Sequence, residues 1–389
     1  MEEITNIKIS ELCSKVCSGG TPKSSVPSYY DGNIPWLNTK EINFNRIYST
    51  EKSITEDGLN NSSAKWIDKN AVIVAMYGAT AGKTAISKIP LTTNQACCNL
   101  MIDADKADYR FVYYALVSEY NRLASLANGG AQQNLNAQQI KDFEIPFFSL
   151  KDQKRIANIL STLDDKIELN RRINDNLEQQ AQLLFDNLIN ASDWSTTQFL
   201  SELSEINPPR KLSKGEYAPF VEMSNMPTSG SFPSRIDYKE YNGGMKFRNG
   251  DTIMARITPC LENGKAAYVN FLKENEIGFG STEYIVLAPK KTISSSFLYF
   301  LVRNKEFVDY AVKHMNGSSG RQRVSGDTIG NYQLPILDRN KLSIFIAIAD
   351  RTLSKIRQNS FEIINLAKQR DTLLPKLMSG ELKINDLNC

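Results

Sequence analysis

The chain carries its own pattern twice. Laid over Asn316–Leu377 with a nearly constant offset of 189, the stretch Asn128–Leu188 places Gln133 on Gln322, Ile140 on Ile329, Phe143 on Tyr332 and Pro146 on Pro335. Further on, Lys166 and Ile167 fall on Lys355 and Ile356, Asn170 on Asn359, Leu177 on Leu366 and Leu188 on Leu377. Upstream, Ser10-Glu-Leu12 recurs as Ser201-Glu-Leu203 and Gly82-Lys83 as Gly264-Lys265, so the offset drifts where loops differ in length. The 389 residues are therefore two copies of about 190 and a short tail. Self-similarity over the whole chain predicts two units of one architecture.

Each copy has the same internal order. A mixed segment of about 150 residues comes first, with short β-type runs between Gly, Pro and Asn. Ala71–Met76 reads as a buried strand and Thr252–Ala255 as its counterpart, while Tyr113–Leu126 and Phe297–Met315 read as helices. A long segment without Gly or Pro follows, Asp152–Asn190 in the first copy and Arg339–Leu374 in the second. Apolar residues recur there at heptad spacing. The first seam is Ile156, Leu160, Leu163, Ile167, Leu177, Ala181, Leu184 and Leu188; the second is Phe345, Ala349, Ile356, Ile363, Leu366, Leu373 and Leu377. A helix of ~35 residues, about 50 Å long, cannot bury such a stripe alone, but two in one chain can pair. Asn170 and Asn359 interrupt the two seams at matching positions. They read either as buried residues that fix register or as solvated flank residues. The expected fold is α/β (α+β): two similar modules held apart by two long helices, with a pseudo-two-fold internal repeat. Such a spacer would set two binding surfaces at a fixed distance, as DNA half-sites ~34–36 Å apart require.

Composition removes most catalytic classes. His314 is the only histidine, so a triad or general-base histidine would have to use it, and a multi-histidine metal site is excluded. Six cysteines (Cys13, Cys17, Cys97, Cys98, Cys260 and Cys389) include no C-x-x-C pair and read as free thiols, with Cys13 and Cys17 on one buried helix stripe. No metal site is expected. The longest apolar runs, Ala71–Tyr77 and Ile344–Ala349, fall far short of the ~20 residues a bilayer requires. With no leader-like segment at its start, the chain is expected to be cytoplasmic. Net charge is +3 overall, −2 for residues 1–189 and +5 for the remainder. Phosphate neutralisation by this chain alone would then be modest.

Short motifs carry a resemblance in both copies. Ser18-Gly-Gly-Thr-Pro-Lys23, Tyr29-Tyr-Asp-Gly32, Ile34-Pro-Trp-Leu37 and Met76-Tyr-Gly-Ala-Thr-Ala-Gly-Lys-Thr84 resemble specificity subunits of type I restriction–modification systems. Pro208-Pro-Arg210, Phe247-Arg-Asn-Gly-Asp251, Arg256-Ile-Thr-Pro-Cys260, Glu262-Asn-Gly-Lys265 and Gly280-Ser-Thr-Glu283 repeat it in the second copy. The resemblance implies a target-recognition domain at 1–150, a helical spacer at 151–191, a second recognition domain at 192–338 and a second spacer at 339–389. It further implies that the helices pair antiparallel and that each domain reads one half of a bipartite, asymmetric DNA sequence. Two adenine-N6 methyltransferase subunits would dock on the chain, and restriction/translocase subunits would join them. S-adenosylmethionine and ATP would sit on those partners; the chain itself would have no cofactor and no active site.

Candidate DNA contacts follow from residue type and place. Gly78-Ala-Thr-Ala-Gly-Lys-Thr84 is one residue short of a P-loop, so it reads as a turn offering Thr80 and Lys83 to DNA. Arg256, at the end of the Thr252–Ala255 strand, could meet a guanine edge or a phosphate, with Thr258 beside it and Tyr77 at the matching place in the first copy. Gln132, Gln133 and Asn134 follow Asn128-Gly-Gly130, as Ser319, Arg321, Gln322 and Arg323 follow Asn316-Gly317. Amides suit adenine and guanidinium groups suit guanine or phosphate. Thr21, Lys23, Asn38, Thr39 and Lys40 in the first copy, and Arg210, Ser224, Asn225, Asn263 and Lys265 in the second, complete the set. Trp36 reads as a core aromatic and His314 as a cap or surface residue. A scaffold with two protein-binding modules, and a nuclease with scattered carboxylates, are the competing readings; the repeated Asn-Gly loops favour DNA.

Overall fold

The computed structural model describes residues 5–127, 134–318 and 320–382. The chain divides into two compact units, Met1–Asp165 with Leu366–Cys389, and Lys166–Asn365.

The first unit is built on a five-stranded sheet in the order Cys13–Ser18, Cys97–Ile102, Val72–Ala75 (β1), Thr84–Ser87 and Asn45–Ile47. The run around β1 is apolar at every position because both sheet faces are covered. Val72, Val74 and Met76 enter one core, whereas Ala71, Ile73 and Ala75 enter another. Period-two alternation thus feeds two cores from one strand. A second sheet, Lys52–Ile54, Tyr30–Leu37, Leu91–Thr93 and Trp66–Ile67, contains one parallel pairing, Trp36 and Leu37 with Thr92 and Thr93.

The second unit repeats this plan. Its main sheet runs Ser204–Ile206, Tyr284–Pro289, Thr252–Ala255 (β2) and Ala266–Tyr268. Met254 faces one core and Ile253 the other. Its second sheet again has a parallel pairing, Phe220 and Val221 with Phe279 and Gly280. An antiparallel edge pair also recurs, Thr5–Lys8 with Glu144–Phe147 and Thr197–Phe199 with Gln333–Pro335.

The long helices are Leu150–Asn190 (α1, 41 residues) and Arg339–Met378 (α2, 40 residues). Equivalent caps start them: the Ser149 hydroxyl accepts from Asp152 N, and Asp338 Oδ1 accepts from Lys341 N. Helix α2 passes the expected stop, because Pro375 lies in its last turn and Leu374, Leu377 and Met378 are buried in the first unit's core. Pro375 forfeits the N–H that this position would give to Asp371 O, and the burial of Leu374, Leu377 and Met378 offsets that loss. In the first unit Ile156 and Leu160 join the core that holds Leu377. In the second, Phe185 meets Phe345 at 5.5 Å between ring centroids while Asn170 meets Glu362, so the helices run antiparallel.

Four expectations need correction. The helices expected at Tyr113–Leu126 and Phe297–Met315 are each two: Tyr109–Ser118 with Tyr120–Ser125, and Ser295–Arg303 with Lys305–Lys313. Asn304 makes the second break by capping the following helix through Phe307 N. Cys13 and Cys17 lie on a strand, not a helix, and a bulge in its pairing sends them to different cores. Leu184 is 42% exposed, whereas Phe185 is fully buried against Phe297 and Phe345. Of the other seam positions, Ile167, Leu188 and Ile356 are buried, and Leu163, Leu177, Ile363, Leu366 and Leu373 are half-buried. Asn170 and Asn359 are both buried, which excludes the solvated-flank reading of them. No helix among the described residues is long and apolar enough to cross a membrane.

Candidate nucleic-acid interface

The two units build one backbone address at the ends of β1 and β2. In the first, Ala75 N donates to Lys83 O, Met76 N to Ala96 O and Leu135 N to Met76 O. In the second, Ala255 N donates to Lys265 O, Arg256 N to Glu283 O and Val324 N to Arg256 O. Isolated bridges complete the match, Tyr77 with Asn134 and Ile257 with Arg323. These bonds pair Met76 with Arg256, Ala96 with Glu283 and Asn134 with Arg323. Tyr77 is therefore the counterpart of Ile257, one residue from the place the sequence alignment assigns it.

In the second unit this address is charged. Arg323 Nε donates to both carboxylate oxygens of Glu283 at 2.9 Å, and Nη2 donates to Oε1 at 2.7 Å. The hydrogen bonds from Arg323 hold the Glu283 carboxyl below its ordinary range. Arg256 lies close enough to add to that effect, yet its buried Nε has no hydrogen-bond partner among the described residues. Thr258 N donates to Gln322 O, bringing both residues to the cluster, and Arg321 is exposed at its rim.

The first unit fills the same frame with neutral groups. Met76 and Ala96 are buried, and Tyr77 and Asn134 are exposed. Thr80 bonds back to Tyr77 O, and Thr21 donates to Gln95, the neighbour of Ala96. The Gly19-Gly20 pair is dictated by close approach: a Cβ on Gly19 would lie 2.2 Å from Thr93 O, and one on Gly20 2.1 Å from Ala64 N. Trp36 is buried and donates Nε1–H to Gly20 O at 2.9 Å, a core role. Gln132, Gln133 and Ser319 lie outside the described residues.

Several candidates have internal partners. Lys83 Nζ donates to Asn43 Oδ1 and Lys265 Nζ to Met223 O, each at 2.8 Å. Lys265 thereby ties down the turn of Ser224 and Asn225. Asn38 caps the turn of Thr39 and Lys40 in a reciprocal box with Glu41, and Lys40 pairs with Glu51. Arg210 is a correction: its side chain is 8% exposed and Nη2 grips Asp251 at 2.5 and 2.7 Å, so it serves the core and not a surface. Lys23, Ser224 and Asn263 are exposed. His314 ends a helix with Nδ1 against Tyr310 O at 2.8 Å.

Sequence reasoning missed Glu283 as an organising residue and Gln95 altogether. Glu283 was within reach, since it ends a motif of the second copy; Gln95 has no local signal. Among the described residues no group of His, Cys, Asp or Glu could hold a metal ion. Burial pushes the Cys13 and Cys98 thiols up to about 12, away from nucleophilic use.

The family model for the type I restriction modification DNA specificity domain matches residues 1–179 and 192–341. The chain is 29% identical to the type I restriction enzyme MjaIX specificity subunit of Methanocaldococcus jannaschii, over 98% of this chain and 94% of that protein. It is 33% identical to the EcoAI specificity subunit of Escherichia coli over 49% of this chain and 33% of that one. In fold it is similar to the crystal structure of the S subunit of a type I restriction–modification system from M. genitalium, with a TM-score of 0.62, 20% identity and 97% of each chain covered.

Proposed function

Because the chain belongs to the type I restriction–modification DNA specificity family, with two DNA specificity domains, we propose that each unit reads one half of a bipartite, asymmetric DNA target. The observation that carries this reading is the twice-built address. One set of backbone bonds holds Met76, Ala96 and Asn134 in one unit and Arg256, Glu283 and Arg323 in the other. A shared frame with different side chains is what two readers of different base sequences require, since base edges differ in their donors and acceptors.

Helices α1 and α2, each about 60 Å long at 1.5 Å per residue, set the gap between the halves. They also offer two equivalent docking places to two adenine-N6 methyltransferase subunits, through which restriction subunits join. The subunit chooses the site and leaves the chemistry to those partners, which hold S-adenosylmethionine and ATP. With a net charge of +3, the chain alone binds DNA weakly, and the methyltransferase subunits complete the cleft.

Co-expression with the cognate methyltransferase subunit, followed by mapping of N6-methyladenine, tests the reading. It predicts one two-part motif with a fixed gap. Methylation at a continuous motif, or methylation indifferent to removal of this chain, would refute it.

A further inference from the structure

We propose that Arg256 reads a guanine in the half-target of the second unit, with Glu283 and Arg323 as its positioning residues; this rests on the two-reader function above.

Arg323 has little left to offer DNA. Its Nε and Nη2 are taken by Glu283, and its Nη1 donates to Arg321 O at 3.1 Å. Arg256 is the opposite case. Its backbone is held on both sides, N–H by Glu283 O and carbonyl by Val324 N, each at 3.0 Å. Its side chain is half-buried, and its enclosed Nε has no hydrogen-bond partner among the described residues. Arg256 is thus fixed at its root in a half-buried place, without a hydrogen-bonded carboxylate of its own among those residues, and its planar fork of donors can serve an outside acceptor.

Two acceptors on DNA fit a guanidinium: the O6/N7 edge of guanine and the phosphate oxygens. The repeat separates them. A phosphate contact carries no sequence information and would serve both units alike, whereas a guanidinium present in only one of two matched frames suits a base edge that differs between the halves. In the first unit the corresponding residues are Met76, Ala96 and Asn134, which supply no guanidinium, so the two halves differ at this position of the frame.

The test is the N6-methyladenine map of the full chain co-expressed with its methyltransferase subunit, comparing native, Arg256→Met, Arg256→Lys and Glu283→Gln. Arg256→Met is expected to lower the preference for guanine at one position of one half by roughly ten- to a hundredfold, with the other half and the gap unchanged. Arg256→Lys keeps the charge but not the fork, and should relax the same position. Glu283→Gln should relax it less. If Arg256→Met yields no soluble complex, Arg256→Lys decides: guanine preference at full strength would overturn the assignment. An even loss of methylation over all sites, the mark of a phosphate contact, would overturn it as well. A native map without a two-part motif would sink the two-reader function and Arg256's role together. A two-part native map unchanged by both Arg256 variants would sink only the role of Arg256.

Discussion

Within the second unit, Asn359 donates its Nδ2–H to Asn174 Oδ1 at 2.8 Å, across the seam between α1 and α2. Asn170 makes a second crossing, to Glu362 Oε2 at 2.9 Å. Buried amides that find each other penalise every other register of the pair, because slippage leaves them unpaired. Replacing Asn359 by Ala should cost about 1–3 kcal/mol. A double-mutant cycle with Asn174→Ala, read by urea unfolding, should give a coupling of at least about 0.5 kcal/mol. Strict additivity would show that the contact does not specify register.

The seam can be located by two adjacent residues. Phe185 is fully buried between Phe297 and Phe345, whereas Leu184 faces solvent. Phe185→Ala should destabilise by about 3–5 kcal/mol, and Leu184→Ala by no more than about 0.5. Equal losses in thermal melts would contradict this orientation of α1.

The repeated Gly-Lys lysines are expected to be structural. Lys83 and Lys265 each tie down a turn at the end of a second-sheet strand. Lys83→Met and Lys265→Met should each lower the melting temperature, by the loss of about 1 kcal/mol, and leave the methylated motif unchanged. A changed half-motif would return these lysines to the reading surface.

Stability should respond to pH through Glu178. Burial raises its carboxyl above the ordinary value, with Arg303 and the Tyr299 hydroxyl acting in the opposite sense. A carboxyl raised in the folded state binds more protons folded than unfolded, so its contribution declines as pH rises. Measured against Glu178→Gln at each pH, the native melting temperature should fall as pH climbs from the ordinary glutamate value of about 4.3. A relative rise over that interval would show that pairing with Arg303 prevails over burial.

Much of this architecture is legible in the sequence because it is periodic. The offset of 189 that carries Asn170 onto Asn359, and the heptad spacing of Ile156, Leu160 and Ile167, are local signals of repeat and helix. What escapes is set by distant partners. In the run Leu183-Leu184-Phe185 spacing cannot say which residue faces the core; Phe297, more than a hundred positions away, decides it. Arg210 has the composition of a DNA contact until Asp251 closes on it. The sequence alignment puts Tyr77 opposite Arg256, and only the backbone bonds show that Met76 belongs there. Repetition of Gly-Lys in both copies marks a shared frame, within which Met76 and Arg256 differ.

The two-reader account is tested most directly by lengthening the helices. Insertion of one heptad between Asp165 and Lys166 together with one between Asn365 and Leu366 keeps the phase of the seam and adds about 10 Å at 1.5 Å per residue. In the N6-methyladenine map of the co-expressed complex, both half-motifs should persist and the gap between them should grow. A methylated motif whose gap is unchanged, or whose halves change while the gap does not, would contradict the claim that α1 and α2 space two independent readers.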